Sequence, residues 1–271
     1  MSKKQLIKDN LLLLIGGNIA NVFSFVFIIL LLRSNPEVAN LYVAFNSIIL
    51  ILGIPSLVLT RAFTIYGPSI FGKLHYYVNK NPSRSALGFV TFLILLIPLA
   101  FLVERFTNQG DLITSFLIIT IAIATIVSYA FRGLKQYEQK FISPVIAINI
   151  ETGARLILGY LFGVTFGMGI YGVLIGSLIA MAASTIPSFD FKYLRERFEK
   201  LSETKLVTAF AGSFIVTSGL EFFTNFDTAY SLNALSNDLQ AQTEYNVLQF
   251  FRKIIFYGNF AVSSLILSIG S

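Results

Sequence analysis

Cysteine is absent from the 271 residues, so neither disulfides nor thiolate metal sites are open to this chain. Histidine occurs once, at His75, which excludes a histidine-built metal centre. Charge is scarce too. Asp, Glu, Lys and Arg make up 13% of the residues, against about 25% in soluble domains. Such a chain has too few ionised side chains to clothe a water-facing surface. There is no Gly-rich loop ending in GK[ST] and no GxSxG, so no catalytic residue, metal ligand or cofactor site is read from the sequence. No small-residue cleavage site follows the basic start MSKKQLIKDN, so the apolar run after it reads as an uncleaved first helix.

What remains is grease. Hydrophobic residues make up 55% of the chain, 27 of the residues are Phe, and the mean hydropathy is +0.74. This composition describes an integral membrane protein, in contact with membrane lipids. A helical span takes roughly 20 apolar residues, and eight stretches qualify: 11–32, 40–63, 86–103, 112–131, 142–163, 168–187, 206–235 and 245–270. The runs are continuous rather than alternating, so they predict helices and not barrel strands. The fold class expected is an all-α, polytopic bundle of about eight helices.

Lys and Arg between the spans set its orientation. Lys3, Lys4 and Lys8 precede span 1, and Lys73, Lys80 and Arg84 follow span 2. Arg132, Lys135 and Lys140 are assigned to the loop after span 4; Lys192, Arg195, Arg197, Lys200 and Lys205 follow span 6. The opposite side has only Arg33 and Arg105. The positive-inside rule then puts the N-terminus and the even-numbered loops in the cytoplasm of a cell whose plasma or inner membrane holds the chain. Because the basic residues sit in these short segments, the net charge of +6 reports topology and implies no nucleic-acid partner. His75 falls in one such basic loop and reads as solvated.

The segment SFDFKYLRERFEKLSETK carries Phe191, Leu194, Phe198 and Leu201 at helical spacing, with Lys192, Arg195, Glu196 and Glu199 between them. It predicts an amphipathic helix on the cytoplasmic membrane surface or a solvated linker. It divides the chain into residues 1–187, a first six-helix bundle; 188–205, the linker; and 206–271, two helices of a second bundle.

Charges inside spans are costly, roughly 2.5–3.5 kcal/mol each, and mark function or a partner. In AINIETGARLILGY, Glu151 and Arg155 stand at i and i+4, on one face of span 5. They are either a self-satisfied pair or one wall of a hydrated cavity. Span 7 supports the cavity, because Thr217, Glu221, Asn225 and Thr228 recur every three or four residues as a polar stripe, with Asp227 off it. Asn18 and Asn21 share a face of span 1. Arg252 and Lys253 lie about two turns into span 8 and need a partner or a snorkelling path. Arg61 sits near the cytoplasmic end of span 2, within snorkelling reach. Gly159, Gly163 and Gly167, then Gly172 and Gly176, repeat at GxxxG spacing, which predicts a tight hairpin of spans 5 and 6.

Buried charge without a nucleotide site indicates a secondary transporter or a lipid flippase. Three stretches bear on which. LRSNPEVANLYVAFNSI (32–48), FRGLKQYEQKF (131–141) and NFDTAYSLNALSNDLQAQTEYNVLQFFRKI (225–254) resemble, in order and spacing, connections of the polysaccharide and O-antigen lipid flippases. These belong to the multidrug/oligosaccharidyl-lipid/polysaccharide exporter superfamily. Leu32 and Tyr42, and Leu235 and Tyr245, are each ten positions apart between an odd and an even span, which suits that family's parallel repeat.

The resemblance implies a non-enzymatic transporter in which a lipid-linked oligosaccharide or polysaccharide precursor binds between two bundles that rock. It implies that Arg155 and Arg252 meet the anionic phosphate, and that Glu151, Glu221 and Asp227 balance them or bind a coupling proton or sodium ion. Asn225 and Arg61 complete the candidate cavity set. The family has twelve to fourteen spans, so a chain of eight is expected to be an N-terminal fragment, or to pair as a homodimer if complete. Rival readings are a multidrug or cation antiporter of the same superfamily, a membrane glycosyltransferase or polymerase, and a non-transporting remnant or partner subunit.

Overall fold

Asn35 ends one helix and starts the next. Its backbone N–H closes α1 (Lys3–Ser34) on the Leu31 carbonyl at 2.7 Å, and its side chain caps α2 (Pro36–Leu52) by accepting from the Val38 N–H at 3.1 Å. Pro36, at the first helical position, has no N–H to leave unsatisfied there. A computed structural model describes residues 3–70, 80–107, 111–195, 203–235, 238–249 and 251–252. The regular elements among these are all helical.

The predicted second span is two helices, α2 and α3 (Ile54–Tyr66), bent by 46°. Pro55 causes the break: it cannot donate to the preceding turn, and Gly53 takes the junction, its N–H on the Ile49 carbonyl at 2.7 Å. Next come α4 (Pro82–Thr107), α5 (Leu112–Tyr137) and α6 (Ile142–Tyr160), the last extended by a π-helical turn over Leu161–Thr165. Then follow α7 (Gly169–Thr185), the single turn α8 (Lys192–Arg195), the 32-residue α9 (Glu203–Ala234) and α10 (239–249).

Leu14–Ser34, Leu112–Tyr137, Ile142–Thr165 and Gly169–Ser188 are long and apolar enough to cross a membrane, and the bent pair α2–α3 makes a fifth if it is one span. An all-helical chain with these apolar helices is compatible with a multi-pass membrane protein. The eighth predicted span lies mostly outside the described residues. So do His75, Lys73, Lys253 and, in the linker, Glu196, Arg197, Phe198, Glu199, Lys200 and Leu201.

α2 is the central helix. Nearly all its side chains from Val38 to Ile49 are buried, against α1, α5, α7 and α9. Phe45, Ile48 and Ile49 pack with Ile118 and Ile121 of α5, Leu174 of α7 and Ala229 of α9. α4 is peripheral: it touches α5 and α9 and turns Leu87, Val90, Ile94, Leu95 and Leu102 outward.

The α6–α7 hairpin has the predicted close approach. A Cβ added at Gly176 would stand 2.6 Å from the Gly159 backbone nitrogen, and one at Gly172 would stand 2.5 Å from the Phe162 carbonyl carbon. Gly167 is not part of that seam. It sits in the connecting turn with φ of +68°, where glycine is needed for its backbone.

One boundary differs from the sequence reading. Arg132 and Lys135 were assigned to a loop, yet α5 continues to Tyr137 and buries both, at 4% and 7% exposure. No Pro interrupts the run after Phe131, and Gly133 lets α5 approach α3 so closely that a Cβ there would stand 2.5 Å from the Thr60 carbonyl oxygen.

Candidate functional site

Between α1, α2, α3, α5, α6, α9 and α10 lies a cavity of about 350 Å³, toward the lower end of the roughly 300–1,000 Å³ common for ligand pockets. Its polar lining includes Asn21, Ser24, Tyr42, Asn46, Ser56, Tyr129, Thr152 and Gln249, and its charged lining is Glu151, Arg155 and Glu221. Gly53, at the α2–α3 bend, is part of the wall.

Glu151 is buried and holds a guanidinium on each oxygen. Arg155 Nη2 donates to Oε1 at 2.7 Å, along the i,i+4 face predicted from sequence. Arg132 Nη2 of α5 donates to Oε2, also at 2.7 Å. The expected pair is therefore an Arg–Glu–Arg triad with one positive charge in excess. Arg132 is fixed from three sides: it also donates to Ser184 Oγ of α7 at 2.9 Å and stands 4.4 Å from the centroid of the Tyr129 ring. The Nε–H groups of Arg132 and Arg155 are both buried without a hydrogen-bond partner among the described residues. The excess positive charge, with Arg155 on the lining, suits an anion.

Arg132 was missed as a site residue because it closes an apolar run beside Lys135 and Lys140, where a basic residue reads as a topology signal. One signal could have found it. Thr125, Ser128 and Arg132 fall at i, i+3 and i+7 on span 4, a polar face ending in the arginine.

The stripe on α9 is real as a buried face: Thr217, Asn225, Thr228 and Ser231 are all buried. Glu221 reaches the cavity and accepts from Asn225 Nδ2 at 2.9 Å, while Asn225 stands behind the wall. Arg61 is also off the wall, exposed, and donates to Thr217 Oγ1 at 3.2 Å.

Asp227 and Arg252 come together away from the cavity wall. Arg252 donates to both Asp227 oxygens, at 2.9 and 3.2 Å, and to the Thr224 carbonyl at 2.8 Å. Tyr245 and Gln249 also donate to Asp227, at 3.1 and 3.0 Å. Gln249 thus touches both this node and the cavity. Arg252 lines a separate shallow pocket with Gly219, Leu220, Phe223 and Thr224. Of the seven sequence candidates, Glu151, Arg155 and Glu221 share the cavity; Asp227 and Arg252 join α9 to α10, Arg61 joins α3 to α9, and Asn225 supports Glu221 within α9.

Polar contacts bracket the cavity along α2–α3. Toward the α2 N-terminus, Asn40 donates to Thr243 Oγ1 at 2.8 Å and accepts from Asn246 Nδ2 at 3.0 Å; Asn246 in turn accepts from Ser231 at 3.4 Å. Toward the α3 C-terminus the corresponding contact is the Arg61–Thr217 bond.

Beyond the cavity, at the far end of α5, lies a second charged cluster. Glu138 pairs with Lys140 at 3.1 Å, Lys135 at 3.7 Å and Lys192, and Lys135 also reaches Asp190 at 3.2 Å. Burial alone would raise the Glu138 carboxyl, but the Lys192 hydrogen bond, aided by Tyr193, Lys140 and Lys135, outweighs it and lowers the group to about 2.

Compared with known protein families, with curated proteins and with solved structures, the chain has no match.

Proposed function

We propose that this chain is a membrane transporter of the flippase type, moving lipid-linked oligosaccharide or polysaccharide precursors across the cytoplasmic membrane by alternating access. The observation that carries the reading is the cavity: its walls come from a first unit of α1, α2, α3, α5 and α6 and from α9 and α10, and the Arg132–Glu151–Arg155 triad presents Arg155 to it. In the proposed cycle the pyrophosphate of the substrate meets Arg155, and its lipid tail stays in the bilayer between helices. Rocking of α9–α10 against the first unit, with the N-terminus in the cytoplasm, passes the headgroup across. Glu221, on the moving side, is the carboxylate placed to take a coupling proton or sodium ion.

An antiporter for organic cations is less well supported. Both oxygens of Glu151 are already held by arginines, which leaves Glu221 as the other carboxylate on the wall.

The test uses export of a lipid-linked glycan in cells that depend on this chain. Glu151→Ala strips both guanidiniums of their shared counter-ion, and leaving buried charge unpaired costs about 3–5 kcal/mol; both the folded yield and export should fall. Arg155→Gln leaves Glu151 paired with Arg132 and should keep much of the yield while export is lost. A stable Arg155→Gln variant with normal export would show that Arg155 only supports the fold.

A further inference from the structure

The triad has one member that the cavity does not touch. Arg132 lies on α5 behind the wall, buried, with Glu151, Ser184 and Tyr129 as its contacts. We infer that Arg132 is a positioning residue that gives the cavity its affinity for anions, by holding one oxygen of Glu151 so that Arg155 is not neutralised.

The argument is one of charge sharing. A carboxylate four residues before an arginine on one helix face neutralises it, and a neutral pair has little attraction for a phosphate. In this fold Glu151 Oε2 is occupied by Arg132 at 2.7 Å, and Arg155 is left with Oε1 alone. The wall formed by α5 and α6 therefore carries a net positive charge, and its exposed member is Arg155, whose side chain is 14% exposed against 5% for Arg132. Arg155 lies on the cavity lining, so its guanidinium is the cation that a phosphate oxygen meets there. Glu221 faces the same cavity from α9, and Tyr42 and Tyr129 are the phenols on its lining. None of these is altered in the comparison below, so their contribution cancels. Ser184, fixed to Ser128 at 3.3 Å and to the Met181 carbonyl at 2.8 Å, keeps Arg132 turned toward Glu151.

The inference rests on the proposal that the cavity takes a pyrophosphate-bearing lipid, and its test separates the two. Purified full-length chain in lipid nanodiscs is titrated with geranylgeranyl pyrophosphate, with inorganic pyrophosphate and with uncharged geranylgeraniol. The wild type should bind the pyrophosphate lipid and not the alcohol; inorganic pyrophosphate binding equally well would identify a site for the free anion instead of a lipid headgroup, with the same role for Arg132. Arg132→Gln should weaken binding ~10-fold or more, because Glu151 then claims Arg155 entirely. Arg132→Lys should stay close to wild type. The deciding variant is Arg132→Gln with Glu151→Gln, which frees Arg155 again and should return the affinity to near the wild-type value.

If the double variant binds as weakly as Arg132→Gln, Arg132 acts by supporting the fold and the inference fails. It fails also if Arg132→Gln binds like the wild type, or if the wild type binds no pyrophosphate at all. A wild type that binds the lipid yet exports no glycan removes the transport reading and leaves the role of Arg132 standing.

Discussion

Glu138 stands at the end of α5, where the chain leaves the bundle, and its environment fixes a pH dependence. Its carboxyl is lowered from an ordinary 4.5 to about 2, so it binds its proton more weakly folded than unfolded. A group depressed in this way contributes stability that is fully present above pH 4.5 and is lost as the pH falls from there toward 2. Glu138→Gln should lower the melting stability by ~1 kcal/mol at pH 7, a modest figure because Lys140 is largely exposed. The gap between variant and wild type should hold from pH 8 to about 5.5 and narrow below 4.5. Asp190 titrates in both proteins and cancels. A gap unchanged at pH 3.5 would mean that the carboxylate charge is not what Lys140 and Lys192 respond to. At this scale the sequence was a partial guide. Glu151 and Arg155 were legible because the helical period alone puts them on one face. The pairing of Arg132 was not, because its partner is on another helix and only packing of α5 on α6 joins them; the sequence offered only its place on a polar face with Thr125 and Ser128.

Among the elements, the helices were legible wherever apolar runs have clear ends, and less so where the ends depend on tertiary contacts. The α5 overrun past residue 131 comes from packing on α3, which no local pattern announces. The bend at Gly53 was open to inspection in the tripeptide Gly53-Ile54-Pro55, but a 24-residue apolar run reads most simply as one span. The glycine spacing carried real information about the α6–α7 seam. Gly176→Ala sets a methyl against the Gly159 backbone, which has no rotamer to move. It should cost about 1–3 kcal/mol, as overpacking does, seen as a lower melting temperature of the purified chain. Gly17→Ala, at a helical position with nothing within 4 Å, should be neutral or gain up to about 1 kcal/mol. Equal losses at the two positions would place the effect in helix propensity and not in the seam.

For the whole molecule, the uneven distribution of Lys and Arg predicts an orientation. The cysteine-free background makes it simple to check. Single cysteines at Lys8 and at Lys200 should both resist an impermeant thiol reagent in intact cells and react once the membrane is opened. Labelling of either from outside would overturn the topology and, with it, the assignment of the Glu138 cluster to the cytoplasm. Composition was enough to read a membrane bundle, because scarcity of charge is a property of the whole chain. It could not show that the walls of one cavity come from residues as distant as Asn21 and Gln249.

The buried position of α2 also has a consequence in time. Asn40 is 1% exposed, and the partners that satisfy its amide, Thr243 and Asn246, lie 203 and 206 positions later in the chain. A ribosome adds about 5–20 residues per second, so roughly 10–40 s pass between the synthesis of Asn40 and that of the groups it needs. During that interval α2 has been made and its amide has no mate, in a solvent that offers few hydrogen bonds of its own. The helix at the centre of the finished bundle thus waits, while the chain is being made, for most of the chain to follow it.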